Sequence, residues 1–392
     1  MKLSYILLPL SLLVSSLDSY FRERGVVSLI FLAILVIINR RVIINYKHMR
    51  LIFFVFTIFI VYTFLSFFIP SVYLEIGIDK ENFSFKIVDR LSIVMLLLFI
   101  SITYGRNDLI RSVIIVANIH VVLFIIQFIL YYVASYPVDY LKLFGDGIAQ
   151  RNWMGFDGNN VFRASGLYFE PSNYAAYMSL YIAILVMLKY DISGYKYIYP
   201  VSMMLTLSSA GFIMGAISFL AVILTKNLYL SKLKKILLIL FLIIWVGLLG
   251  IPQINRFSES GIENNANSNL RIMLITSVID SASSSILKTI LGTGIYSYSK
   301  KIYEKENSVA GREVASVQDA SMIVYFFMSF GFLGIVLIWW VFLSVSSFGG
   351  KLAIFSVLLS KISFLFPIFP FLLVALIISK SSSFDVRGIN YT

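Results

Sequence analysis

A chain of 392 residues that is 59% hydrophobic and only 13% charged, with a mean hydropathy of +0.90, lacks the roughly 25% of charged residues that a water-soluble domain carries. Cysteine is absent and histidine occurs only at His48 and His120, which excludes disulfide frameworks, Fe–S clusters and thiolate zinc sites and argues against any His-based metal centre. The net charge of +12 reads as basic residues gathered in cytoplasmic loops, not as a nucleic-acid surface.

The apolar surface is therefore expected to face lipid. An apolar run at 3–17 follows Lys2 and lacks a small-residue cleavage site, so it reads as a first span rather than a cleaved leader. Further runs follow at 25–44, 51–74, 88–104 and 109–133. Arg40, Arg41, Lys47 and Arg50 make the second connection cytoplasmic. Alternation then places the N-terminus inside, 75–90 outside, and Arg106 and Arg111 inside. The segment 134–171 falls outside, and Lys189 and Lys196 fall inside. On the fifth run Asn118, His120 and Gln127 are polar; hydrogen bonding between helices is the expected role, with function the alternative.

A run at 172–188 is a further span, and the run 197–225 is too long for one. If it crossed once, Lys226, Lys232, Lys234 and Lys235 would lie outside, against the positive-inside tendency. A hairpin turning at Ser208-Ser209-Ala210-Gly211, with halves of about 14 residues, returns them inside. Runs at 236–251, 320–345 and 352–379 complete the set. The last is interrupted by Lys361, Pro367 and Pro370, which leaves one tilted span or a second hairpin open. Lys361 would snorkel or line the turn. The expected fold is all-α: one polytopic membrane domain over 1–392, about eleven to twelve transmembrane helices, and large outer loops at 134–171 and 252–318.

Loops of that size need an explanation. The first ends Arg163-Ala-Ser-Gly-Leu-Tyr-Phe-Glu170-Pro171-Ser172. Pro171 suits a first helical turn, and Glu170 suits either helix capping or an active site. Arg163, with no local structural reason, suits two-pronged phosphate binding. Aromatics around this loop (Tyr131, Tyr132, Tyr136, Tyr140, Trp153, Phe156, Phe162, Tyr168 and Tyr174) read first as an interfacial belt, and second as platforms for sugar rings. In the second loop, Ser268 or Asn269 is expected to cap an interfacial helix carrying Arg271 in its first turn. A tight Gly292-Thr293-Gly294 segment follows. The loop closes at Gln318-Asp319, where Asp319 either caps the next helix or acts chemically.

These features resemble the Wzy-type O-antigen polymerases and the related O-antigen ligases. The resemblance rests on Arg163-x-Ser-Gly-Leu-x-x-Glu-Pro-Ser, the broken helix at Thr206-Leu-Ser-Ser-Ala-Gly, and Arg271 ahead of Leu291-Gly-Thr-Gly. It also rests on Gln318-Asp319 before Ser329-Phe-Gly331-Phe-Leu-Gly334. It covers 163–225 and 267–340. Ser209-Ala210 stands where the family often has Ser-Arg, so one phosphate contact of the family is missing; Gln318-Asp319 stands where the ligases have a His, which favours the polymerase.

The resemblance implies a GT-C-like fold in the bacterial inner membrane with its active site facing the periplasm. It implies an inverting, metal-independent glycosyl transfer without cofactor, between undecaprenyl-pyrophosphate-linked donor and acceptor glycans. A chain-length regulator of the co-polymerase type is the implied protein partner, and no nucleic acid is involved. Arg163 and Arg271 would bind pyrophosphate, and Asp319 or Glu170 would serve the acceptor hydroxyl. A ligase or a lipid-linked oligosaccharide flippase is the rival.

Overall fold

A computed structural model describes residues 4–17, 24–39, 72–74, 92–98, 105–143, 153–156, 159–225, 266–294, 297–299, 320–364 and 366–381, with isolated positions within 53–57 and 236–247. Nearly all of the expected spans at 51–74 and 236–251, the basic loop 226–235 and about half of the loop 252–318 lie outside the described residues.

The described chain is overwhelmingly α-helical. The helices are α1 (Ser4–Ser16), α2 (Arg24–Asn39), α3 (Arg106–Ala134), α4 (Pro171–Met187), α5 (Ile198–Met204), α6 (Ser209–Thr225), α7 (Ala266–Ser283), α8 (Ile286–Leu291), α9 (Met322–Ser344), α10 (Phe348–Leu358) and α11 (Phe369–Ser381). The all-α expectation holds; four short strands of three or four residues accompany the helices, β1 (Val72–Leu74), β2 (Trp153–Phe156), β3 (Asn159–Phe162) and β4 (Ser297–Ser299). They pair antiparallel as β1 with β4 and β2 with β3. The first pairing joins the end of the 51–74 run to the 252–318 segment, two regions that charge alternation puts on one side.

By length and composition, α3 and α9 are each able to cross a membrane, while the other apolar helices described are shorter. α4 lies at the centre, with nearly every residue from Pro171 to Met187 buried. It runs antiparallel to α3. Arg106, at the start of α3, donates through Nε to the Leu188 carbonyl at 2.9 Å, satisfying an otherwise orphaned acceptor at the helix end. α1 runs parallel to α3, with Tyr5 under Arg111 and Ser16 beside His120.

The expected hairpin is present. The helix breaks at 205–208, where Leu207 takes φ 53°. Gly215 of α6 packs on Met204 and the Pro200 carbonyl, so the two arms are antiparallel. The arms are unequal, with 7 residues in α5 and 17 in α6, not two halves of similar length. The 352–379 run is likewise broken. α10 starts against Thr225 at the end of α6, and Ser356 bonds Ser218 at 3.0 Å. The chain then turns through 359–368, Pro367 packs beside Gly25 in the first turn of α2, and α11 begins.

Two motifs far apart in sequence meet backbone to backbone. Gly331 sits inside α9 at φ 58° and ψ −145°, which kinks the helix. A residue in that conformation interrupts the i→i−4 ladder. The Met328 and Ser329 carbonyls accept from Thr293 N (2.8 Å) and Gly294 N (3.0 Å). A Cβ on Gly292 would lie 2.5 Å from Gly331 N, and a Cβ on Gly331 would lie 2.5 Å from Gly292 N. Only glycine fits on either side of this contact.

Gly292→Ala or Gly331→Ala should therefore combine backbone strain with overpacking, costing about 3 kcal/mol. Gly194 has φ 61° but nothing within 4 Å of an added Cβ, so Gly194→Ala should cost only about 1 kcal/mol of strain. Thermal unfolding of the purified variants measures the difference, and equal losses at all three positions would show that the contact is not tight.

Candidate functional site: a charged cluster at the mouth of an apolar bundle

The segment joining β3 to α4 has no regular structure, so its backbone amides need partners. Gln127 of α3 supplies them. Its Oε1 accepts from Ser165 N and Gly166 N, both at 2.8 Å, and its Nε2 donates to the Val138 carbonyl at 2.7 Å. One buried amide thus ties both ends of the first large loop to α3. Tyr132 Oη donates to the Phe162 carbonyl at 2.8 Å, one residue before Arg163.

Arg163 and Glu170 are held at the two ends of this tethered segment. Glu170 occupies the N-cap position of α4 with Pro171 at N1, as expected, but its side chain makes no capping bond. Its Oε2 instead accepts from Lys361 Nζ at 2.9 Å and from Ser172 Oγ at 3.1 Å. The Lys361 and Glu170 side chains are only 16% and 23% exposed. Such a pair is not a screened surface contact, and removing one partner strands a charge in poor solvent. Burial pushes the Arg163 guanidinium below its ordinary pKa, and the Glu170 carboxylate opposes that shift. Arg163, Glu170 and Lys361 together carry one net positive charge.

Lys361 lies in the turn, one of its two expected places, but its pairing with Glu170 had no signal in the sequence. It lines the turn between α10 and α11, and its neighbour Ser360 accepts from Met322 N at 2.7 Å. The start of α9 is thereby brought against the cluster. Asp319, expected to cap α9 or to act chemically, lies just outside the described residues. The cap is provided by Ser321, whose Oγ accepts from Val324 N at 3.3 Å, so α9 does not need Asp319 for that purpose. Arg271 lies in α7, but its side chain is outside the described residues. α7 begins at Ala266, so Ser268 and Asn269 are inside the helix and do not cap it. Its Leu274 and Val278 are buried.

The aromatics divide. Phe162, Tyr168 and Tyr174 are buried, with Phe124 on Tyr174 at 4.5 Å and Tyr168 on Tyr177 at 4.8 Å between ring centroids. These three are core packing, neither belt nor sugar platform. Tyr132 and Tyr136 are exposed. His120 is fully buried, with Nε2 3.1 Å from Ser16 Oγ and 3.2 Å from Tyr168 Oη. It binds helices together, as does Asn118, which accepts from Tyr199 Oη at 2.6 Å. The hairpin tip reaches this end of the bundle too, since Tyr174 Oη lies 2.7 Å from Ser202 Oγ. Among the described residues no group of three or more His, Cys, Asp or Glu is placed to hold a metal ion.

Compared with protein-family profiles, with curated proteins and with solved structures, the chain matches none. The functional reading therefore rests on the residues themselves.

Gln127→Leu would strand two buried amides, at about 1–3 kcal/mol each. Gln127→Glu keeps the acceptor and should lose less. The check is thermal unfolding combined with protease sensitivity of the 134–171 segment; a Leu variant as stable and as protected as wild type would rule out the tether.

Proposed function

We propose that this chain is a polytopic membrane glycosyltransferase that polymerises polyprenyl-pyrophosphate-linked oligosaccharide repeat units, with the Glu170 end of the bundle facing the periplasm. The observation that carries the reading is the convergence of Arg163, Glu170 and Lys361 at one end of an apolar bundle. A partly desolvated cluster with excess positive charge suits an anionic group lying at headgroup level.

In the proposed reaction an acceptor hydroxyl attacks the anomeric carbon of the donor. The new glycosidic C–O bond forms as the bond to the pyrophosphate oxygen breaks, and the hydroxyl proton passes to a carboxylate. No nucleotide is needed, because the sugar–pyrophosphate bond supplies the driving force. Arg163 meets the charge developing on the leaving group, and a donor arranged in advance for that charge contributes about 3–4 kcal/mol. Arg271 is the second proposed pyrophosphate ligand. Glu170, whose side chain is not spent on capping, and Asp319, relieved of the cap by Ser321, are the proposed bases, a role worth about 100- to 10,000-fold. The implied partners are the two lipid-linked glycans, the bilayer and a chain-length regulator. The place of Gln318-Asp319 favours polymerase over ligase.

Arg163→Ala should leave membrane insertion intact and cut polymer synthesis by about 100-fold or more. Arg163→Lys, which keeps the charge but not the fork, should fall between. The measurement is the glycan ladder made from a purified lipid-linked repeat unit. Full-length chains from both variants would dismiss the phosphate role.

A further inference from the structure

At the opposite end of the bundle lies an open cavity of about 410 Å³, lined on its polar side by Arg106, Arg111, Lys189, Tyr190 and Asp191. Its other wall is apolar, formed by Ile110, Ile114 and Ile115 of α3. The three cations and one carboxylate leave two net positive charges. The two walls differ in kind: a basic rim that suits a phosphate, and an isoleucine face that suits a hydrocarbon chain.

The cations are held in place. Arg106 is fixed on the Leu188 carbonyl. The Arg111 guanidinium carbon lies over the Tyr5 ring, 3.8 Å from its centre. Such a cation–π contact holds the group without using a hydrogen bond. Lys189 follows α4 at φ 53°, a left-handed position that favours glycine and strains a lysine. Tyr190 N returns to the Leu185 carbonyl at 2.9 Å and fixes that turn. A further cation, Lys196, donates to the Tyr190 hydroxyl.

We infer that this groove binds the phosphodiester headgroup of an anionic glycerophospholipid, with an acyl chain along Ile114 and Ile115. Basic pockets between helices at a membrane's cytoplasmic face recognise such headgroups. The inference rests on the membrane reading of the chain, but not on the glycosyl-transfer reading.

The test uses the full-length protein in lipid nanodiscs of phosphatidylcholine or of phosphatidylcholine with phosphatidylglycerol. Retained lipid is counted by native mass spectrometry after release. Incorporation into discs is scored separately, so failure of the membrane reading is distinct from failure of the groove. Wild type should retain phosphatidylglycerol over phosphatidylcholine. The double variant Arg111→Gln, Lys189→Asn should retain phosphatidylglycerol about tenfold less, with unchanged unfolding in phosphatidylcholine; asparagine tolerates the left-handed turn. Equal retention by wild type and variant, or no preference between the lipids, would overturn the proposal. Displacement of the lipid by millimolar inorganic phosphate alone would assign the groove to a free anion and overturn it as well.

Discussion

In the interior of an apolar bundle, where there is little water, a polar group must find its partner inside the protein, and the buried Gln127 carboxamide is where that constraint shapes the site. The loop before α4 enters the bundle with amides that no helix or strand satisfies. One oxygen takes two of them, and the accompanying NH₂ holds the incoming side of the same loop at Val138. The positions of Arg163 and Glu170 follow from that tether. The same constraint explains the Ser11–Ser28 contact (2.7 Å), the Ser218–Ser356 contact and the bonds of His120, each of which pairs a polar side chain between helices.

Charge adds a second layer. A carboxylate at the start of a central helix and a lysine 191 residues later meet at 2.9 Å. Their contact fixes the α10–α11 turn over the mouth of the bundle, and the Met322–Ser360 bond brings α9 to the same place. The kink at Gly331 lets α9 receive the Gly292–Gly294 segment, so the helix that carries Asp319 just ahead of it is braced at both its start and its middle. The glycosyl-transfer proposal depends on this bracing, since a phosphate ligand is useful only when its position is set beforehand.

Much of the framework was legible in the sequence. The apolar runs at 3–17, 109–133 and 172–188 coincide with α1, α3 and α4 to within a few residues, because in such a chain hydropathy and helix are the same signal. The α5–α6 hairpin was legible from the lysines beyond it, a topological cue that local propensity lacks. What could not be read depended on contacts distant in sequence. Nothing local distinguishes Lys361 as a partner of Glu170 from Lys361 as a snorkelling side chain. Tyr168 and Tyr174 have the composition of an interfacial belt, and only tertiary packing buries them. Capping by Ser321 was hidden because Asp319, two residues earlier, is an equally good capping residue type.

The central claim is that the Arg163–Glu170–Lys361 cluster is built to receive the diphosphate of a lipid-linked sugar. A cryo-EM structure of the protein in nanodiscs with a bound polyprenyl pyrophosphate tests it most directly. The account predicts phosphate density in hydrogen-bond contact with the Arg163 guanidinium, beside Lys361. Diphosphate density away from both side chains, with the cluster closed on itself, would contradict it.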